Sequence, residues 1–183
     1  MKILNYLIII FISINAAVKA DSKQSFIDEI QKGGKLIFIR HAYAPGSGDP
    51  DNFSISNCAT QRNLSESGRI QAQKIGDFFK LKKIFISNVY SSEWCRCTET
   101  AFIAFKSYET KNFLNSFFSE KFTNNKKKQI VDFKKFLNNW DEDKNLVFVT
   151  HYVVISESLN YSPSSGEIVI SNKDFKVIDT IEI

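Results

Sequence analysis

The two histidines of this 183-residue chain each follow a short apolar segment. His41 comes after residues 36–39, with Arg40 between them. His151 follows a second such segment, at residues 146–149. Short apolar segments bounded by polar residues are typical of strands buried on both faces of a parallel sheet. Ligands of open α/β sheets bind beyond the carboxyl ends of such strands, so these histidines predict a catalytic pocket that binds an anion.

A third segment points to the same chemistry. Residues 91–101 follow a predicted strand and open a predicted helix, with Ser91 and Ser92 at its start and Arg96 in its first turns. The free backbone N–H groups and the positive dipole end of a helix N-terminus attract anions. An arginine there can form two parallel charged hydrogen bonds with a phosphoryl group. This segment is therefore a candidate site for a phosphoryl group.

The pattern of apolar and polar residues in the rest of the chain predicts the strands and helices that must position these side chains. Strands are expected at 35–39, within 83–90 (at 84–86 or 88–90) and at 145–150, with a hairpin of 167–171 and 175–183. Helices are expected at 25–31, from 65 onward, at 93–105 and at 126–140. This order predicts an α/β fold, a three-layer α/β/α sandwich whose central sheet is mostly parallel with an antiparallel edge. The long polar loop at 42–63 is expected to be functional.

Together these segments resemble the histidine phosphatase superfamily, the phosphoglycerate mutase-like proteins. The resemblance extends over residues 35–154 and implies the phosphoglycerate mutase-like fold. It rests on four matching segments, at residues 40–41, 64–72, 91–101 and 150–151.

The resemblance implies a mechanism for these residues. His41, in its neutral form, attacks phosphorus in line and forms a phosphohistidine. Arg40, Arg96 and His151 surround the equatorial oxygens while charge spreads over them. An acid protonates the leaving alcohol, and water then releases phosphate. The implied enzyme is a phosphomonoesterase that needs no metal and no cofactor and acts on a small phosphorylated substrate.

The identity of that acid is open, because this chain departs from the family pattern. Ala42 stands where the family often has glycine, and Tyr152 stands where one branch has its acidic residue. The acid must therefore come from elsewhere. We favour Glu120, since it follows the second motif at the distance where many mutase-like members carry a glutamate. Asp49 is the alternative, and Asp51 is a third candidate in the same long loop.

Two more polar residues have open roles. Arg62, near the end of the long loop, is either a substrate contact or a surface charge. Glu167 either borders the site or begins a strand.

The first twenty residues predict a secretory signal. Lys2 precedes a mostly apolar segment at 3–18, and residues 18–20 suit a cleavage site before Asp21. The histidine phosphatase domain is then expected at 21–183, in an exported protein that is periplasmic or secreted. An uncleaved anchor is the alternative; after cleavage no stable membrane insertion is expected. Removal of the signal, which carries two lysines and no acid, lowers the net charge from +4 to +2. This charge is too small to indicate nucleic acid or a membrane as a partner, and the oligomeric state stays open.

The chain has three cysteines: Cys58, Cys95 and Cys97. Export makes a disulfide reasonable, and Cys95 and Cys97 are too close in sequence to pair with each other. We therefore expect a bridge from Cys58 to Cys97, with Cys95 as the alternative partner. The spacing is a poor pattern for zinc, so no metal site is expected.

Several other functions remain open. A non-catalytic phosphoryl-binding protein of the same fold would keep the arginines and histidines without a working acid. A phosphomutase is less favoured, since an exported domain would lack a cytosolic bisphosphorylated primer. A redox protein using Cys95 and Cys97 is the third alternative. Some exported members of the family act on phosphorylated lipopolysaccharide core sugars, so phosphorylated envelope sugars are a possible substrate class.

Overall fold

A six-stranded mixed sheet forms the centre of the protein in a computed structural model that describes residues 23–183. Its strands are β1 (Leu36–Arg40), β2 (Asn88–Ser91), β3 (Glu109–Thr110), β4 (Leu146–Thr150), β5 (Ile168–Ser171) and β6 (Val177–Ile181). The spatial order is β3-β2-β4-β1-β5-β6. The first four of these strands are parallel, whereas β5 runs antiparallel to β1 and β6 antiparallel to β5. The prediction of a mostly parallel sheet with an antiparallel edge is confirmed.

Helices cover both faces of this sheet. They are α1 (residues 23–31), α2 (Glu66–Leu81), α3 (Cys95–Phe105), α4 (Glu120–Thr123), α5 (Lys126–Phe136) and α6 (Tyr152–Leu159), with short 3₁₀ turns at Cys58–Thr60, Asn112–Leu114 and Leu137–Asn139. No helix within residues 23–183 is long and apolar enough to cross a membrane. The predicted signal peptide, 1–20, lies outside the described residues.

Successive side chains of the central strands point to opposite faces of the sheet, so the core has two halves. Ile37 and Ile39 of β1 pack on the side of α1, α2 and α3, whereas Leu36 and Phe38 pack on the side of α5 and α6. All four are fully buried, because the strand is covered on both faces. The predicted three-layer sandwich is thus confirmed.

The pairing of β1 with β4 places the two predicted catalytic segments side by side. Arg40 is in register with Thr150, and both strands end at the same edge of the sheet. Immediately beyond them, the backbone N–H of His41 donates to the Thr150 carbonyl at 2.9 Å. Strand β2 ends at the same edge, where Ser91 is in register with Val149.

The structure corrects the disulfide prediction. Cys58 is bonded to Cys95, with a Cα–Cα distance of 5.7 Å, and Cys97 is a buried free thiol. Residues two positions apart on a helix point in directions about 200° apart. Cys97 therefore faces the core, whereas Cys95 meets the exposed turn that carries Cys58. The bridge ties the long loop to the start of α3.

Removing this bridge should lower stability without removing the fold. The Cys58→Ser variant should unfold at lower urea concentration, with a loss of about 2–4 kcal/mol, because the unfolded chain regains the entropy of an open loop. Urea titrations with and without reductant measure this loss. Reductant should destabilise the wild type and leave Cys58→Ser unchanged; equal responses of the two proteins would contradict the bridge.

Candidate active site

The two histidine rings meet beneath one cavity. Their centroids are 5.5 Å apart, and the side chains are 3% and 2% exposed. The cavity has a volume of about 260 Å³. Its charged lining residues are Arg40, Arg62, Arg96, Lys121, Asp49 and Asp51. Because cations outnumber carboxylates, the cavity favours an anionic ligand.

His41 is held as a neutral ring with one free nitrogen. Its Nδ1 lies 2.8 Å from the Ala42 carbonyl oxygen, so Nδ1–H donates there and Nε2 keeps its lone pair. The backbone of Ala42 is fixed in turn, since its N–H donates to Thr100 Oγ1 at 3.0 Å. Burial lowers the pKa of His41 to about 3, and nearby Arg96 contributes in the same direction. The ring is therefore available as a nucleophile at neutral pH.

His151 is fixed by the start of α3. Its Nε2 lies 2.9 Å from Ser92 Oγ and 3.5 Å from Cys97 Sγ. Burial lowers the pKa of His151 well below 6.5, with Arg96 and His41 adding to the effect. Burial also raises the pKa of the Cys97 thiol to about 12. Since Cys97 stays protonated and Cys95 is already in a disulfide, this pair is poorly suited to redox chemistry.

Arg96 is a buried cation held by Asp49. Its Nη1 donates to Oδ1 at 2.7 Å and its Nη2 to Oδ2 at 3.2 Å. Trp94 Nε1, at 3.1 Å, and the backbone N–H of Arg62, at 3.0 Å, also donate to this carboxylate. Burial opposes ionisation of Asp49, yet the hydrogen bond and charge of Arg96 hold its pKa below its usual value. Asp49 is therefore an anion here, which argues against its predicted alternative role as proton donor.

Buried N–H groups without partners mark the positions for a ligand. The Nε atoms of Arg40 and Arg96 are both buried and without a hydrogen-bond partner among the described residues. Arg40 uses Nη1 to donate to the Pro163 carbonyl at 3.0 Å, and its guanidinium packs 5.4 Å from the Tyr152 ring centroid. A buried donor without a partner costs about 1–3 kcal/mol. Both arginines line the cavity, so an oxygen-rich anion is the kind of ligand that could supply the acceptors they lack.

The favoured acid, Glu120, does not reach this cavity. It is exposed as the first residue of α4, and it does not line the cavity, although Ser119 and Lys121 do. A general acid must come within about 2.6–3.2 Å of the leaving oxygen. The prediction for Glu120 is therefore not supported by its position. Asp51 lines the cavity instead and, within residues 23–183, has no hydrogen bond or ion pair.

The other two open residues now have defined places. Arg62 lines the cavity and braces the loop, since its Nε donates to the Gly48 carbonyl at 2.8 Å and its Nη1 to the Ala44 carbonyl. Glu167 is buried away from the cavity lining, where it accepts from the Tyr161 hydroxyl and from the backbone N–H of Ser164.

Sequence reasoning missed the aromatic residues around the site. Trp94 packs edge-on against His151, with centroids 5.4 Å apart, and stacks on Phe53 of the long loop. Phe118 and Tyr152 form a T-shaped pair with centroids 5.9 Å apart. Both line the cavity and both are substantially exposed. Two positions gave a sequence signal: Trp94 lies two residues before Arg96, and Tyr152 directly follows His151.

No group of three or more His, Cys, Asp or Glu side chains within residues 23–183 is placed to hold a metal ion.

The two neutral buried histidines make stability depend on pH. In the window between about pH 6.5 and 3, the unfolded chain binds a proton at His41 that the folded protein does not. Stability therefore rises with pH across this window and is lost as the pH falls below 6.5, by about 2 kcal/mol near pH 5 for one such group. Urea titrations at pH 7 and pH 5 should show a smaller difference for His41→Asn than for wild type. An equal difference in both proteins would contradict a neutral His41.

Comparison with known proteins agrees with this geometry. The profile of the histidine phosphatase superfamily (branch 1) matches residues 36–160, more than half of the chain. A search of curated proteins gave no significant match.

Solved structures share the fold at low sequence identity. The protein histidine phosphatase SixA complexed with tungstate has a TM-score of 0.57 and 13% identity, over 81% of this chain and 96% of that chain. TTHB049 from Thermus thermophilus has the same TM-score and identity, over 81% and 99%. The Rv3214 product of Mycobacterium tuberculosis has a TM-score of 0.55 and 15% identity, over 74% and 89%. With its histidines and arginines around one anionic-ligand cavity, this chain belongs to the histidine phosphatase superfamily.

Proposed function

We propose that this protein is a phosphomonoesterase that works through a phosphohistidine on His41. The observation that carries the proposal is the neutral ring of His41, whose free Nε2 shares a cavity with the unpartnered guanidinium N–H groups of Arg40 and Arg96. A nucleophile beside fixed cationic donors is the arrangement that phosphoryl transfer requires.

In the first step, the Nε2 lone pair of His41 forms a bond to phosphorus while the bond to the leaving oxygen breaks. Arg40, Arg96 and His151 stabilise the charge on the three equatorial oxygens. In the second step, water attacks the phosphohistidine, the P–N bond breaks, and phosphate leaves with His41 restored. Fixed cations supply the electrostatics, so a metal-independent reaction is part of this proposal.

Asp51 is our proposed acid in place of Glu120. It lines the cavity and is not committed to a partner within residues 23–183. It would give its proton to the leaving alkoxide in the first step and accept one from the attacking water in the second.

The substrate class is the finer part of the proposal. A cavity of about 260 Å³ with exposed aromatic rings at Phe118 and Tyr152 suits a small phosphorylated molecule. Phosphorylated envelope sugars are the class to test first, in line with export. The disulfide supports an oxidising compartment outside the cytosol.

Phosphate release from a panel of sugar and other alkyl phosphates, measured with a metal chelator present, tests this function. Release that persists in chelator is expected. Aryl phosphates alone would be a weak test, because their leaving groups scarcely need an acid. Tight phosphate binding without release from any alkyl phosphate would favour the non-catalytic binding protein, and loss of release in chelator would contradict metal independence.

A further inference from the structure

We propose that Asp49 is a positioning residue that holds one edge of the Arg96 guanidinium and so presents the other edge to the phosphoryl group. This inference rests on the proposed function. It assigns the two carboxylates of one loop, Asp49 and Asp51, to different tasks.

The first step is the geometry of the guanidinium fork. A guanidinium has two edges that can each give two parallel N–H bonds, one formed by Nη1 with Nη2 and one by Nε with Nη2. Asp49 binds the first edge of Arg96 through both of its oxygens. On the second edge, Nε is buried and unpartnered, and Nη2 keeps one hydrogen beyond its bond to Asp49. That free edge matches two oxygens of a phosphoryl group.

The second step is that the carboxylate is itself fixed. Each oxygen of Asp49 has a further donor, the backbone N–H of Arg62 on Oδ1 at 3.0 Å and Trp94 Nε1 on Oδ2 at 3.1 Å. Asp49 thus accepts four hydrogen bonds, all of which require acceptor oxygens. A protonated carboxyl group would have to give up one of them. The contact set therefore suits a permanent anion rather than an acid that releases and regains a proton.

The third step is the charge of the residues that line the cavity. Arg96 is 3% exposed and shares the cavity with Arg40 and Arg62. Three guanidiniums that line one cavity repel each other. Asp49 offsets part of this repulsion from the side of Arg96, so that the cation is in place before the ligand arrives.

The experiment compares how each carboxylate affects a series of phosphate esters whose leaving groups differ in pKa. Asp49→Asn should lower kcat/KM by about 10- to 100-fold, and by the same factor for every ester, because a displaced Arg96 affects all of them alike. Asp51→Asn should instead lower the rate increasingly as the leaving group becomes more basic. The matched control is Glu99→Gln. Glu99 lies on α3, the helix that carries Arg96, but its carboxylate pairs with Arg69 instead, so the substitution should leave kcat/KM unchanged.

A double-mutant cycle separates positioning from a structural role. If Asp49 acts through Arg96, adding Asp49→Asn to Arg96→Ala should cost less than about twofold in rate. Tungstate binding by calorimetry gives a readout that does not need turnover, and Asp49→Asn should weaken it about tenfold in the wild type and negligibly in Arg96→Ala. If Asp49→Asn does not fold, Trp94→Phe, which removes one anchor of the carboxylate, should weaken tungstate binding in the same Arg96-dependent way.

Three results would overturn the inference. The first is a loss of kcat/KM in Asp49→Asn that grows with leaving-group pKa, and the second is a loss that Asp49→Asn causes undiminished in the Arg96→Ala background. The third is a tungstate affinity that Asp49→Asn changes in neither background. If the wild type shows no turnover but the double-mutant cycle of tungstate affinities comes out as expected, the proposed function is refuted and the positioning role of Asp49 stands.

Discussion

His41→Ala should eliminate turnover of phosphate monoesters, with kcat falling on the order of 10⁶-fold, as when the nucleophile of a covalent enzyme is removed. The reason is that Nε2 of His41 is the nitrogen that must bond to phosphorus, and the Ala42 carbonyl holds the ring with that nitrogen free. Steady-state phosphate release from an alkyl phosphate measures the loss.

The matched control is Cys97→Ser, which changes the other side chain near His151 Nε2 without removing a ring. Cys97→Ser should keep most of the activity. Activity that survives His41→Ala and disappears in Cys97→Ser would favour thiol chemistry over phosphoryl transfer.

Arg96→Ala should have the second largest effect. Removing one preorganised donor to the transition-state oxygens costs about 10²- to 10³-fold in kcat. The same change leaves the Asp49 carboxylate as a largely buried anion without its cation, which typically destabilises a fold by about 3–5 kcal/mol. Rates on alkyl phosphates and urea titrations of the same preparations measure both effects.

Removing the unpaired charge of Asp49 from the Arg96→Ala protein should recover stability but not activity. The Asp49→Asn/Arg96→Ala double variant lacks the unpaired charge and should regain part of the lost free energy of unfolding. An Arg96→Ala protein as stable as wild type would contradict a buried Arg96–Asp49 pair. A rate loss below about tenfold would contradict the place given to Arg96 beside the phosphoryl group.

Much of this molecule could be predicted because the relevant signals are local. His41, His151 and Arg96 each lie within a few residues of a buried strand or a helix start, and the parallel sheet brings those three points to one edge. The structure places their side chains around one cavity with Arg40. Their roles in catalysis stay predictions until the variants are measured.

What could not be predicted depends on contacts between distant segments. Asp49 and Asp51 were not separable by sequence, since the bidentate contact with Arg96 spans 47 positions and depends on how the long loop folds back. Glu120 fits the family spacing, but it does not line the cavity. Loop conformation is set by tertiary packing rather than by local propensity.

Two structural details escaped prediction for different reasons. The disulfide partner was wrong because helix phase, not distance along the chain, decides that Cys95 rather than Cys97 meets Cys58. Helix α6 was not predicted because its β-branched residues continue directly from strand β4 and resemble a longer apolar strand. Val154 and Ile155 are both fully buried, and Ile155 packs against the sheet, which favours the helix despite that composition.

The phosphohistidine itself gives the most direct test. Wild-type protein mixed with a ³²P-labelled phosphate ester and quenched within milliseconds should carry acid-labile, alkali-stable label on the peptide that contains His41. The label should be absent from His41→Ala and should chase into inorganic phosphate in wild type. Label on His151, on a carboxylate or on no residue at all, during active turnover, would contradict the account.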